Sequence, residues 1–140
     1  MTFAINTAGR YHAQDTGYYC GAACAMIILA EIGVQYASLD QDDLYESNHT
    51  HNGLGGWDTD PIGLCFTLNN RRPASFLPRS FVVHKRPTDA EGTRDVVFAL
   101  SHDKVSAAVL VFERGHWNVV CGLQTDVDPA AVRTSLTGSG

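Results

Sequence analysis

Apolar positions are densest between Cys20 and Gly33. Ala22, Ala23, Ala25, Met26, Ile27, Ile28, Leu29, Ala30 and Ile32 lie nearly all round a helical projection. A helix that is apolar on every side is buried on every side, and Gly33 marks its end. A shorter helix is expected at 39–46, with Ser38 as N-cap. Ser47 to Gly56 is polar and glycine-bearing, the pattern of a loop. Pro61 to Asn69 predicts a helix with Asp60 as cap and Pro61 at its first position. Arg71 to Arg79 contains two prolines and reads as loop. Ser80 to Lys85 predicts a strand. Thr93 to His102 predicts a helix, with Val96, Val97 and Leu100 at helical spacing. Ser106 to Phe112 and Trp117 to Cys121 are apolar and predict two strands about an Arg114-Gly115 turn. Val132 to Leu136 predicts a third. Residues 1–13 read as an extended arm and Gln14 to Tyr19 as a loop. Helices come first, and a mainly antiparallel sheet follows with one helix interposed. That order is α+β rather than alternating.

The 140 residues suit one domain, residues 1–140, with 44% hydrophobic and 18% charged positions, the balance of an ordinary globular chain. Ten basic against fifteen acidic residues give a net charge of -5. The basic residues are scattered apart from Arg71-Arg72 and Lys85-Arg86, so no nucleic-acid or acidic-membrane surface is expected. The longest apolar run, Ala22 to Ala30, falls short of the roughly 20 residues that span a bilayer. The first residues lack a basic head followed by an apolar stretch, so no signal peptide is read. A cytoplasmic location follows by default.

Cys20 stands where a polar loop meets the buried helix. Free N–H groups and the macrodipole at a helix N-terminus favour a thiolate. Gly21 beside it leaves room for a substrate carbonyl to approach the sulfur. Gln14 lies six residues earlier (20 minus 14), and its amide can donate to a developing oxyanion. His116 opens an apolar strand after Gly115. From such a strand mouth an imidazole can take the thiol proton and return it to the leaving group, with Trp117 shielding the pair. Each residue also has a plain structural use: Cys20 as a small buried hydrophobe, Gln14 as a surface glutamine, His116 as a half-buried turn histidine. His49 and His51 share a loop as a weak His-x-His metal pattern. Cys24, one helical turn after Cys20, is core filler or a resolving thiol.

Together these residues resemble a known family. The stretch Gln14-Asp15-Thr16-Gly17-Tyr18-Tyr19-Cys20-Gly21-Ala22-Ala23 looks like the active-site motif of bacterial papain-like cysteine peptidases related to the bacteriocin double-glycine leader peptidases. Gly115-His116-Trp117-Asn118-Val119-Val120-Cys121-Gly122 is similar to that family's histidine strand. Asp42-Asp43-Leu44-Tyr45 and Trp57-Asp58-Thr59-Asp60-Pro61 also resemble its stand-alone members. The resemblance spans about residues 11 to 125. It implies a papain-like fold, Cys20 as nucleophile, His116 as general base, and Gln14 with the Cys20 N–H as oxyanion hole. It also implies a peptide or protein substrate, and neither a cofactor nor a metal.

The chain departs from the family in two places. Ala22 replaces the usual proline after Cys-Gly. The residue that orients the histidine usually follows a further strand, whereas Asp128-Pro129 comes twelve residues after His116 (128 minus 116), with Asp126 nearby. The chain ends at Thr137-Gly138-Ser139-Gly140, about where the next strand would begin. The expectation is a fold cut short at its C-terminus or one without the orienter, with Asp128 as the candidate. Three readings follow. The first is a thiol hydrolase of peptide bonds, with acyl transfer to an amine as a variant. The second is an inactive peptide-binding module on the same fold, working by strand addition. The third is a structural zinc protein drawing on Cys20, Cys24, Cys65 or Cys121, although zinc ligands usually come in two short clusters.

Overall fold

The computed structural model describes residues 3–7, 17–111 and 116–125. Its elements are β1 (Phe3–Asn6), α1 (Cys20–Glu31), α2 (Gln41–Thr50), α3 (Pro61–Arg71), α4 (Asp89–Phe98), β2 (Ala107–Val111), β3 (His116–Val120) and β4 (Gly122–Thr125). The fold class is α+β. The described strands form two antiparallel pairs, β1 with β4 and β2 with β3. No helix among the described residues is long and apolar enough to cross a membrane.

The core is built on α1. Ala22, Ala25, Ile28 and Leu29 are at most 1% exposed, as an all-round apolar helix demands. α1 ends with Ile32 as C-cap, and Gly33 takes φ +116, a left-handed conformation that glycine adopts without cost. Leu44 of α2 and Leu64 and Leu68 of α3 close on it from one side. On the other side come Ala108 and Leu110 of β2 and Trp117 and Val119 of β3. Leu110 pairs with Trp117 and Ala108 with Val119, so these four share the face of the ribbon turned to α1. α1 is thus a central layer between two helices and a β-ribbon.

α3 starts as its sequence dictates. The Asp60 carboxylate accepts from the Gly63 N–H at 2.7 Å, with Pro61 in the first turn. α2 differs from expectation. Its cap is Asp40, which accepts from the Asp42 N–H, while the Ser38 hydroxyl donates to the Gln35 carbonyl within a 3-10 turn. It then runs on to Thr50, into the stretch expected as loop, because Leu44, Ser47 and Asn48 form a buried stripe at helical spacing. α4 begins earlier than expected. Thr88 caps it by accepting from the Glu91 N–H, and a π-type turn from Ala99 to Asp103 continues it.

Ser80 to Lys85 is not a strand. The Asn69 side chain occupies the place a neighbouring strand would take. Its carbonyl accepts from the Phe81 N–H at 2.7 Å and its amide donates to the Phe81 carbonyl at 3.0 Å. Val82 and Val83 stay exposed. β propensity describes fit to a paired surface, and among the described residues no strand supplies one. Strands β1 and β4 extend what the sequence suggests, with Phe3 opposite Thr125 and Asn6 opposite Gly122. The Thr7 N–H and hydroxyl both donate to the Cys121 carbonyl, which joins the two strand pairs. The expected turn at Arg114-Gly115 and the expected strand at 132–136 lie outside the described residues.

Candidate active site

Cys20 is the first residue of α1, and His116 is the first residue of β3. α1 packs along β3, and two anchors fix their register. At the far end, Glu31 in the last turn of α1 accepts from the Ser106 N–H at 3.0 Å, just before β2. Ala107 pairs with Val120 and Val111 with His116, so that anchor holds the end of the ribbon remote from His116. At the near end, Thr59 contacts the residue after each candidate. Its carbonyl accepts from Trp117 Nε1–H at 2.9 Å. Its side chain lies against Gly21, where an added Cβ would come within 2.7 Å of Thr59 Cβ, Cγ2 and Oγ1. Eleven residues of helix span about 16 Å, and a five-residue strand spans about the same. Cys20 and His116 therefore occupy the same end of the helix–ribbon layer.

Contrary to expectation, the space beside Gly21 is filled by Thr59 rather than open to substrate, so glycine is required there for packing. Tyr19 is the N-cap residue, no side chain caps the helix, and no acidic residue lies in its first turn. Cys20 is half-buried. His116 is half-buried too, and the pleat of β3 turns it to the face opposite Trp117, at the end of the ribbon. Trp117 is buried among core residues.

An aromatic ladder flanks the Cys20 end of α1. The Tyr18 ring meets Tyr19 edge-on at 5.0 Å and Tyr45 at 5.4 Å. Tyr19 stacks on Tyr45, and Tyr45 on His49. The Tyr19 hydroxyl donates to Asp42 at 2.6 Å, and that bond, with the carboxylate charge beside it, pushes the phenol up to about 12. The Tyr45 hydroxyl donates to Asp58. The tyrosines thus tie the approach to Cys20 to α2 and to the loop before α3.

That loop is braced. The Asn52 amide donates to the carbonyls of Trp57 and Asp58 and accepts from the Asp60 N–H. Asp60 also accepts from the Leu54 N–H at 2.7 Å. Asn48 is wholly buried and donates to the Thr59 hydroxyl.

The four thiols are distinct. Burial, with Cys20 and Cys121 nearby, pushes the Cys24 thiol up to about 12. Burial also raises Cys65, whose Sγ–H points to the Phe81 carbonyl. Cys24 is 4% exposed and its thiol is held protonated, which is the environment of core filler. His49 and His51 do not form a joint metal pattern. His49 lies on α2 beside the Asp58 carbonyl, whereas His51 bonds the Ser47 carbonyl and stacks on Phe66. Among the described residues, no group of three or more His, Cys, Asp or Glu side chains is placed to hold a metal ion. Gln14, Asp126 and Asp128 lie outside the described residues. Sequence reasoning missed Thr59 and Asn48. Trp57 to Pro61 stood out as a motif, but nothing local marks Thr59 as the residue reaching both Gly21 and Trp117.

No family model matches the chain, and neither a curated protein nor a solved structure matches it.

Proposed function

We propose that the chain is a papain-like cysteine peptidase. Cys20 is the nucleophile and attacks the substrate carbonyl. His116 takes the thiol proton, reaching Cys20 round the end of the β-ribbon, and delivers it to the leaving amine. The resulting acyl-enzyme is opened by water. The Cys20 N–H, left without a side-chain cap, and the Gln14 amide receive the oxyanion, and Asp128 is the candidate orienter of His116. The observation that carries this reading is the register of α1 against β3, with Gly21 and Trp117 joined through Thr59.

The test is alkylation together with hydrolysis. Iodoacetamide labelling followed residue by residue is expected to modify Cys20 ahead of Cys24 and Cys65, whose thiols burial raises. Hydrolysis of a fluorogenic peptide library is expected to vanish in Cys20→Ala and in His116→Ala. Labelling of Cys20 no faster than Cys24, or hydrolysis that survives Cys20→Ala, overturns the peptidase. Peptide binding without turnover in the unaltered chain would favour the inactive module.

A further inference from the structure

We propose that the aromatic ladder beside Cys20 is a subsite for a basic side chain, Lys or Arg, of a bound peptide; as a substrate subsite it rests on the peptidase reading. Its open ring is Tyr18, which is 49% exposed. Tyr18 is nonetheless held, edge-on to Tyr19 at 5.0 Å and to Tyr45 at 5.4 Å. Tyr45 in turn stacks on Tyr19 at 4.8 Å and on His49 at 5.5 Å. A ring fixed before its ligand arrives loses little freedom when the ligand binds. The Cα atoms of Tyr18 and Cys20 are at most about 7 Å apart, and an extended peptide advances about 3.4 Å per residue. A side chain resting on Tyr18 therefore belongs to a residue close to the bond that Cys20 attacks.

The surroundings of the ladder select a cation. Tyrosine faces are electron-rich and attract ammonium and guanidinium groups. Two exposed carboxylates border the rings. The Tyr19 hydroxyl donates to Asp42 at 2.6 Å, and the Tyr45 hydroxyl to Asp58 at 3.3 Å. A phenol is a neutral donor, so neither bond cancels the charge of its carboxylate. Asp43, on the same helix as Asp42, differs in being paired with Arg71. The wider sequence points the same way. Between residues 11 and 70 there are eight Asp and Glu and no Lys or Arg, and nine of the ten basic residues come from Arg71 onward. The part of the chain that carries Cys20 and the ladder is therefore acidic as a whole. Such a field draws in a cationic partner over distance.

The other occupants fit less well. A purely apolar side chain gains only the area it buries, and a half-exposed ring offers little of it. An acidic side chain is repelled by Asp42 and Asp58. A lysine or arginine gains from both parts at once: its methylene stem lies along the ring while its charged head stays near the carboxylates. Tyr18, Asp42 and Asp58 are thus specificity-determining residues, and none of them takes part in bond cleavage.

The experiment uses short Ala/Gly peptides with a single variable residue, Arg, citrulline or Glu, walked along their length. Citrulline has the shape of arginine without its charge. Binding to Cys20→Ala is read by fluorescence anisotropy, and hydrolysis by the unaltered chain as kcat/KM. At its best position the Arg peptide is expected to exceed its citrulline twin by about 5- to 30-fold in both readouts, with the Glu peptide weakest. Tyr18→Leu, Asp42→Asn and Asp58→Asn are each expected to bring that ratio down towards one. Tyr18→Phe keeps it, because the ring remains, and Asp89→Asn on α4 keeps it as well. Circular dichroism checks that each variant is folded. Equal binding of the Arg and citrulline peptides overturns the subsite, and turnover of either then leaves the peptidase standing. Survival of the full ratio in Tyr18→Leu overturns it too. So does a ratio that falls as far in Asp89→Asn as in Asp58→Asn, because net charge rather than the ladder would then be at work. A preference for Arg in binding with no hydrolysis of any peptide removes the peptidase reading and leaves the ladder as the basic-peptide site of an inactive module.

Discussion

Helices α1 and α4 are close in length, twelve and ten residues, and opposite in surroundings. α1 has eight buried residues, whereas α4 has none. α1 is gripped by α2, α3 and the β2–β3 ribbon. α4 is secured beside its own length, by Leu100 in the following turn, which is 0% exposed, and by the ion pair of Arg86 and His84 with Asp95. That ion pair is partly solvated and holds the Asp95 carboxyl below its ordinary range despite the opposing effect of burial. The difference shows which part of the fold can carry a site. A reactive group needs a frame fixed from several directions, and α1 is such a frame. α4 is a surface element with no buried residue of its own.

The largest expected break in this contrast comes from truncating each helix. Leu29→Ala in α1 is expected to cost about 2–5 kcal/mol, and Val97→Ala in α4 under about 1 kcal/mol. Urea unfolding measures both, and similar losses would show that α4 is packed as firmly as α1. A middle-sized effect concerns the caps. Asp60 is wholly buried and serves both Gly63 and Leu54, while Thr88 serves Glu91 at the surface. Asp60→Ala is expected to cost about 2 kcal/mol and Thr88→Ala about 1 kcal/mol or less, read from thermal denaturation. A larger loss at Thr88 would reverse the contrast.

The smallest effect is alkaline. Cys24, on the inner face of α1, has its thiol raised from 9.0 to about 12. The folded state prefers the protonated thiol, so its contribution is complete below pH 9. It falls as pH climbs toward 12, because the unfolded chain releases that proton first. The loss is about 1 kcal/mol by pH 10. Cys24→Ala is expected to flatten that part of the pH–stability curve, and an unchanged slope would refute the assignment.

The legible parts of the chain were those whose cause is local. Asp60-Pro61 announces α3 because a cap and its first-turn proline act within four residues. The run from Ala22 to Ala30 announces α1 because burial on all sides leaves no polar position there. Ser80 to Lys85 misled because a β-rich run says nothing about whether a partner strand will arrive. Here a single asparagine, Asn69, takes the partner's bonds. Cys20 stands out because a reactive residue at the edge of an apolar run breaks the pattern, Gln14 by its spacing from it and His116 by its place at a strand mouth, and the family resemblance then joins the three. Thr59 did not stand out. Its role exists only where residues 21, 48 and 117 meet, and no spacing within Trp57 to Pro61 encodes that meeting. Gly21 was noticed for the wrong physical reason, since a missing side chain looks the same whether a substrate or a threonine fills the gap.

The pairing of Phe3 with Thr125 bears on the order in which the molecule is made. During synthesis, β1 leaves the ribosome well before β4, the strand it pairs with. β1 is therefore paired only when β4 arrives and Thr7 donates to the Cys121 carbonyl. Closing so long a loop costs only slightly more entropy than closing one half its length, but contacts this distant in sequence form late. The helical half can collapse around α1 while the ribbon is still being assembled. On the peptidase reading, the nucleophile would then exist before its base, and the site would stay inert until the ribbon forms.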